Sequence, residues 1–323
     1  MSLNRRSLLL AGLGALALPQ QLSAQPYPSR PIRLVVGFAP GGATDIVARL
    51  LQPLLSEALG QPVVVENRSG GGGTVATEML ARAEPDGHTL MVASPGQLVV
   101  NPLLDPKSSF DAVRDLTPVA QLTTGPLLLV VPAASPFRDA RALVENARAR
   151  PGSMNYGSAG IGSSMHIAGE MLNALGGLDI VHVPYRGSGP AVNDLVAGKI
   201  DFMVDSVSTT MPHVRNGLLR LLAHTGTAPD PQFPGVPPLQ EVVPGVVLTT
   251  WLALTAPPGL PPAVLARLSE VLRVAVPSAA FADRIRALGS NVHWSSPADL
   301  CALLSEERRR VADVIQRAGI QKE

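Results

Sequence analysis

The sequence predicts an α/β protein of two doubly wound lobes with a ligand cleft between them. Short apolar runs alternate with helical periodicities from residue 32 to residue 94, and a second alternating set starts near residue 138. In each set a glycine-rich turn lies between a strand and a helix, where an open α/β sheet presents its ligand crevice. The chain of 323 residues, 46% apolar and 16% charged, has a globular composition and is long enough for two domains.

Ile32 to Phe38 is an apolar run bounded by Pro31 and by Pro40-Gly41-Gly42, and reads as a strand ended by a tight turn. Ile46, Val47, Leu50, Leu51, Leu54 and Leu55 then recur at helical spacing. Pro62 to Glu66 reads as strand, Thr74 to Arg82 as helix and His88 to Ser94 as strand, so this part forms a parallel sheet. Gly70 to Gly73 reads as a connector. From Pro118 to Val131 two apolar runs are separated by Thr123-Thr124-Gly125, and a lobe boundary is expected there. The second set comprises a helix at Arg138 to Arg150, Asn155-Tyr156 before a glycine-serine loop, and a helix at Met165 to Leu175. It continues with a strand at Ile180 to Val183, a helix at Ala191 to Ala197 and a strand at Phe202 to Val204. A proline-rich stretch, Ala228 to Pro238, precedes a strand at Val246 to Thr255 and helices at Pro262 to Val276, Ala279 to Leu288 and Pro297 to Ala318. Returning the C-terminal part to the first lobe gives lobes of 25–125 with 240–323, and 126–239.

The N-terminus carries Arg5 and Arg6, an apolar run from Leu8 to Leu18, and a polar stretch ending Leu22-Ser23-Ala24. That is the three-part plan of a secretory signal, so residues 1–24 are expected to be a signal peptide cleaved near Ala24. The export route is open between Sec and twin-arginine. The apolar run is shorter than the roughly 20 residues a membrane span needs, and no cysteine follows it to carry a lipid. A freely soluble periplasmic product is expected. Without the leader, 26 basic residues fall to 24 against 25 acidic, and aromatics are 3%. Neither a long-range positive field nor stacking surface is available, so nucleic acid is not an expected partner.

Cys301 is the single cysteine; it reads as a small buried apolar residue. The six histidines show no metal-ligand spacing, and neither a metal nor a cofactor is expected. GxxxxGK[ST], GxSxG and SxxK are absent, which removes phosphate-loop and common serine-hydrolase chemistry. Gly187-Ser188-Gly189 is half of a dinucleotide fingerprint without its third glycine.

The first glycine turn, Phe38-Ala39-Pro40-Gly41-Gly42-Ala43-Thr44-Asp45, leaves the N–H groups of a helix start open to an anion. The second, Gly157-Ser158-Ala159-Gly160-Ile161-Gly162-Ser163-Ser164-Met165-His166, adds hydroxyl donors and no bulky side chain. Neither holds a lysine or arginine, so a carboxylate would be gripped by backbone dipoles and hydroxyls. Asp45 reads as structural, accepting loop N–H groups, since its charge would repel an anion. His166 reads as a packing or capping residue. Asp205 either meets the ligand's polar end or braces neighbouring loops. Tyr185 and Arg186 are candidates for the cleft mouth, and Trp251 reads as core or hinge packing. Bulky replacement of Gly42 or Gly162 is expected to abolish binding in a folded protein.

Pro40-Gly41-Gly42 with Asp45, Gly157-Ser158 through Gly162-Ser163 with His166, Val183-Pro184-Tyr185-Arg186-Gly187 with Pro190, Asp194, Leu195 and Gly198, and Asp201 to Asp205 together resemble the Bug family, extracytoplasmic receptors of tripartite tricarboxylate transporters. The resemblance covers essentially the whole chain after the leader. It implies a type II periplasmic-binding-protein fold that closes on its ligand. It also implies a small organic carboxylate as ligand, membrane transporter subunits as partners and no catalysis; oligomeric state is not fixed by the sequence, and a monomer is the natural expectation. Two alternatives are a ligand-sensing receptor that feeds a sensor protein, and an enzyme that processes a carboxylate. By position, the expected ligand-binding residues are Phe38, Ala39, Gly41, Gly42, Ala43, Thr44, Asp45, Ser94, Ser158, Ala159, Gly160, Gly162, Ser163, Ser164, His166 and Asp205. Gly37 and Ala39 stand where the family commonly has prolines, a departure that bears on fine ligand preference.

Overall fold

The computed structural model describes residues 27–105, 108, 110–318 and 320. The expected signal peptide lies outside the described residues.

β1 (Ile32–Val36) lies between β2 (Val63–Asn67) and β3 (Thr89–Ala93), parallel to both, and buries Ile32, Leu34, Val35 and Val36 completely. A strand covered on both faces needs this near-continuous apolar run. α1 (Ala43–Leu59) buries Val47, Ala48, Leu51, Leu55 and Leu59, one helical stripe against that sheet. It stops at Gly60, whose φ of 68° is left-handed and whose N–H returns to the Ser56 carbonyl. α2 (Thr74–Ala81) links β2 to β3. After β3 the chain makes a wide helical turn at Gly96–Val100, then α3 (Asn101–Leu104) and α4 (Ala112–Asp115), none of which the apolar spacing announces.

β4 (Thr117–Pro132) is one strand of 16 residues, where the sequence reads as two. Its register shifts between Pro118 and Ala120 and between Gln121 and Thr123, while the residues read as a break, Thr123-Thr124-Gly125, stay regularly paired with Leu252, Trp251 and Thr250. Residues 117–126 pair with β9 (Thr249–Ala256), and residues 127–132 pair with β7 (Phe202–Ser206) and β8 (Leu219–His224). The same strand therefore serves two groups of strands. The second group also holds β5 (Asn155–Ser158) and β6 (Val181–Pro184), which are parallel, with helices α5 (Ala140–Ala149), α6 (Ser164–Gly176), α7 (Ser188–Val196) and α8 (Val207–Arg215). The path through the sheet runs β2-β1-β3-β9-β4-β7-β5-β6, with β8 and β10 (Asn291–Val292) attached to β4. The sheet is mixed, because β9 returns antiparallel to both β3 and β4. A two-lobed architecture results, with β4 and the return leg into β9 as the two links. Thr225 locks them: its hydroxyl accepts from the Leu127 N–H at 2.9 Å and donates to the Leu248 carbonyl.

α9 (Pro262–Ala275) and α10 (Ala279–Ala287) pack on the first group of strands, and α11 (Pro297–Ala318) lies across β4, α4 and α6. α11 thus touches both groups. Trp251, buried on β9, donates from Nε1 to Glu307 of α11 at 3.3 Å, which ties the return strand to this helix. Cys301 on α11 is only partly buried, not a core residue; it lies outside the Leu300 and Leu304 stripe that packs inward.

Candidate functional site

The first loop is built by Asp45. One carboxylate oxygen accepts from the Gly41 N–H at 3.0 Å, and Arg49 donates from Nε at 2.9 and 3.0 Å. Asn67, at the end of β2, donates at 3.0 Å to both Asp45 and the Phe38 carbonyl. Burial pushes the Asp45 carboxyl up, but the bonds from Arg49, Gly41 and Asn67 outweigh it and hold the group below the usual carboxylate range. Arg49 neutralises the charge, so Asp45 shapes the loop without repelling an anion in front of it. Gly41 carries the turn with φ of 89°, and the Gly42 N-cap of α1 brings no side-chain cap to the helix. The first-turn N–H groups of α1 are left for something outside the helix.

The second loop runs from β5 into α6. Ser158 Oγ accepts from the Gly160 N–H at 3.0 Å and lies 2.7 Å from His182 Nε2. Ser163 caps α6 by accepting the His166 N–H at 3.2 Å, while His166 Nδ1 accepts the Gly162 N–H at 3.3 Å. That bond places the ring proton of His166 on Nε2. The His166 and His182 rings lie 4.5 Å apart, and His182 stacks on Tyr156 at 4.9 Å. His166 is thus a brace behind the loop, its ring holding the Gly162 N–H while Ser163 caps the helix.

The two loops face one another across a narrow crevice. Eight expected residues line it: Phe38, Gly42, Ala43, Thr44 and Ser94 on one side, Ala159, Ser163 and Ser164 on the other. None is charged. Ser164 Oγ is buried there without a partner among the described residues. The other eight expected residues do not line the crevice. Ala39 and Gly41 face an outer groove against Gly189 and Pro190, because the turn points their surfaces outward. Asp45, Ser158, Gly160, Gly162 and His166 stand behind the lining, where their polar atoms satisfy the loops' own backbone. Asp205 is fully buried beneath the lining; Ser188 Oγ donates to its Oδ1 at 3.0 Å, as does the Ser206 N–H. It braces two loops, and burial pushes its carboxyl up to about 7 despite those two bonds.

Met165, Ser188, Ser206, Thr250 and Leu252 complete the crevice and were not expected. Gly187-Ser188-Gly189 gave the one usable signal, a third glycine turn between a strand and a helix. Thr250 and Leu252 come from the return strand and carry no local mark.

The crevice is shut. The Ala39 N–H donates to the Arg186 carbonyl at 2.9 Å, joining the first loop to the loop after β6, so Arg186 acts at the mouth through its backbone. A Cβ at Gly189 would lie 2.2 Å from the Pro40 carbonyl oxygen, and one at Gly72 would lie 2.1 Å from the Ile161 oxygen. The 70–73 turn is therefore more than a connector, since it abuts the second loop. A Cβ at Gly162, where φ is 78°, would meet Asn101 Oδ1 at 1.8 Å. At Gly42 the nearest atoms would be 3.6 Å away, so a methyl fits there and only a larger group intrudes.

A larger hollow opens beside the seam, but Glu78 and Asp105 line it, and of the two glycine loops only Ile161 reaches it. No group of three or more potential metal ligands occurs among the described residues. No helix among them is long and apolar enough to cross a membrane.

Two lobes joined by two strands, with an uncharged crevice closed between helix N-termini, define a solute-binding protein of the periplasmic type. The model of the tripartite tricarboxylate transporter family receptor matches residues 47–320, and the chain belongs to that family. BugT of Bordetella pertussis is 35% identical over 300 residues, covering 92% of this chain and 92% of that protein. The structure of MatC from Rhodopseudomonas palustris with bound malate superposes with a TM-score of 0.86 at 35% identity, covering 90% of this chain and all (100%) of that one. The R. palustris protein Rpa4515 with adipate gives 0.87 at 32% identity, covering 91% and 99%.

Proposed function

We propose that this receptor captures a small organic carboxylate by closing the lobe of residues 126–239 onto the lobe of residues 25–125 and 240–323, and presents the closed form to the membrane subunits of its transporter. It is exported to the periplasm and acts as a monomer, and the acid leaves it chemically unchanged. One observation carries the reading: the N-termini of α1 and α6, from opposite lobes, face one crevice lined by Thr44, Ser94, Ser163, Ser164, Ser188 and Ser206 and by no charged residue. A partly buried helix end contributes up to about 2 kcal/mol to an anion, and each charge-assisted hydrogen bond about 1.5–3. Micromolar affinity needs about 8 kcal/mol. Two helix ends with three or four such bonds reach that figure before association costs, and packing against Phe38, Met165 and Leu252 offsets part of those. The malate and adipate in the related structures point to the same class of acid.

The test is thermal unfolding of the protein without its leader in the presence of C4 to C6 mono- and dicarboxylates, their amides and neutral sugars. Ligand at about 100 times its Kd adds about 2.7 kcal/mol to the folded state. A rise with an acid that disappears with its amide supports the reading, as does recovery of unchanged acid after long incubation. A response to sugars alone, or turnover of the acid, overturns it.

A further inference from the structure

We infer that Ser188 and Ser94 act as hydrogen-bond acceptors in the crevice and select acids that carry a donor, a hydroxyl or an ammonium, on the carbon next to the gripped carboxylate. The inference rests on the carboxylate reading above and adds to it which acids are taken.

A serine hydroxyl has one proton to give and two lone pairs to receive with, so the place its proton goes decides what it offers a ligand. Ser188 Oγ donates to Asp205 Oδ1 at 3.0 Å. The direction of that bond is fixed, because Oδ1 also accepts the Ser206 N–H and is therefore an acceptor whatever the charge of the carboxyl. Asp205 is fully buried and holds the Ser188 proton away from the crevice.

Ser94 repeats the arrangement from the other lobe. Gln97 Oε1 accepts the Ser94 N–H at 3.2 Å, which settles the way its amide points, and the Ser94 hydroxyl lies 3.5 Å from the same oxygen. Gln97 has no room to turn away. Its Nε2 rests on Met91 Sδ at 3.8 Å, and its side chain fills the space beside two glycines: a Cβ at Gly37 would lie 2.3 Å from Nε2, and one at Gly73 2.3 Å from Cγ. Ser188 and Ser94 both line the crevice, and each has its proton committed behind the wall and lone pairs left in front. Ser163 is the reverse. Its Oγ accepts the His166 N–H at 3.2 Å, so its proton is left for a ligand, together with the first N–H groups of α1 and α6.

The acceptors stand beside the donors. A Cβ on Gly42, the N-cap of α1, would lie 3.6 Å from the Ser188 Cβ. A Cβ on Gly96, two residues beyond Ser94, would lie 2.8 Å from the Ser164 nitrogen that begins α6. Each acceptor thus neighbours the helix start of the opposite lobe, and a carboxylate held by those helix starts has Ser188 and Ser94 next to its first carbon. A methylene there buries their lone pairs without a partner, and a 2-oxo group sets a third acceptor against them. A hydroxyl or an ammonium satisfies them, so the discrimination comes from groups left unpaired by the wrong acid.

The experiment is titration calorimetry at one pH of wild type, Ser188→Ala and Ser94→Ala with three matched series. These are succinate, malate and aspartate; glutarate, 2-hydroxyglutarate, glutamate and 2-oxoglutarate; and adipate, 2-hydroxyadipate and 2-aminoadipate, the chiral acids in both enantiomers. In the series that binds, the better of the hydroxy and amino acids should bind wild type about tenfold more tightly than the plain acid, and the comparison of the two tells which donor is taken. 2-Oxoglutarate should bind more weakly than the donor-bearing acid of its length. Ser188→Ala should bring the donor-bearing and plain acids to within about threefold of each other, and Ser94→Ala should reduce the preference in part. A serine with a structural role alone would lower the affinity for all acids alike and leave their ratio unchanged. Should the variants fail to fold, the wild-type ratios decide. A plain or 2-oxo acid that binds wild type within about threefold of its donor-bearing partner, or a preference that both variants keep, overturns the inference and leaves the carboxylate reading intact. Absence of binding by every acid overturns both.

Discussion

Replacing Gly189 with alanine separates closure from folding. Gly189 lies in the first turn of α7, and a methyl there would sit 2.2 Å from the Pro40 carbonyl oxygen, which belongs to the opposite lobe. The clash exists only when the lobes meet. Relieving it requires the first loop and α7 to move apart by about 1 Å from a normal contact distance, at an overpacking cost of about 1–3 kcal/mol. The same movement stretches the 2.9 Å bond from the Ala39 N–H to the Arg186 carbonyl, a further loss of about 0.5–1.5 kcal/mol. At 1.4 kcal/mol per tenfold, a total of about 2–4 kcal/mol weakens ligand binding by about 30-fold to about 1000-fold. The ligand-free protein, with its lobes apart, feels none of this, and alanine in a helix gains up to about 1 kcal/mol over glycine. Calorimetric Kd with the acid identified above, and urea unfolding without it, should therefore move in opposite directions or only the first should move. A Kd within threefold of wild type refutes the closed geometry. Equal losses in Kd and in ligand-free stability place the clash inside one lobe and refute it also.

Gly162→Ala behaves differently because it adds a backbone penalty to a clash. Its φ of 78° costs a non-glycine residue about 1–2 kcal/mol in any lobe arrangement, so urea unfolding without ligand should show that loss, and contact with Asn101 should weaken binding further. Gly42→Ala, with 3.6 Å to its nearest neighbour, should retain binding where Gly42→Trp loses it, read by the same calorimetry. For Asp45→Asn the expected loss at pH 7 is about 1–2 kcal/mol, since the Arg49 partner is half-exposed and screened. The folded-state Asp45 carboxyl is depressed, so its contribution is present above the unfolded value of about 3.9 and fades as the pH falls through the folded one. The stability gap between wild type and variant should accordingly narrow at pH 3, and an unchanged gap there refutes the ion-pair account.

Local sequence marks most of the regular elements and the glycine turns between them, though not the helical turn at Gly96–Val100, α3, α4, α8 or β8. Ile32 to Val36 is apolar without interruption because both faces of that strand are covered. The spacing of α1 and the span Pro297 to Ala318 of α11 follow from one buried stripe each, which local periodicity records. The glycine loops were legible for a related reason. Left-handed φ at Gly41, Gly160 and Gly162 leaves a mark in residue type, and so does a helix start with no basic residue beside it.

Tertiary structure decided everything that depends on which turns meet. β4 changes partners halfway along its length, and the Thr123-Thr124-Gly125 stretch inside its apolar run reads in sequence as a break although it stays paired with β9. Ser206, Thr250 and Leu252 enter the crevice from segments far from either glycine loop, and nothing in their own neighbourhoods marks them as lining, whereas Ser188 sits in a third glycine turn. Asp45 and Asp205 show the limit most directly. Both are aspartates beside a loop, yet Arg49 holds one charged while neutral neighbours and full burial push the other toward its protonated form. Charge state is set by distance and burial across the fold, quantities that a linear order of residues does not contain.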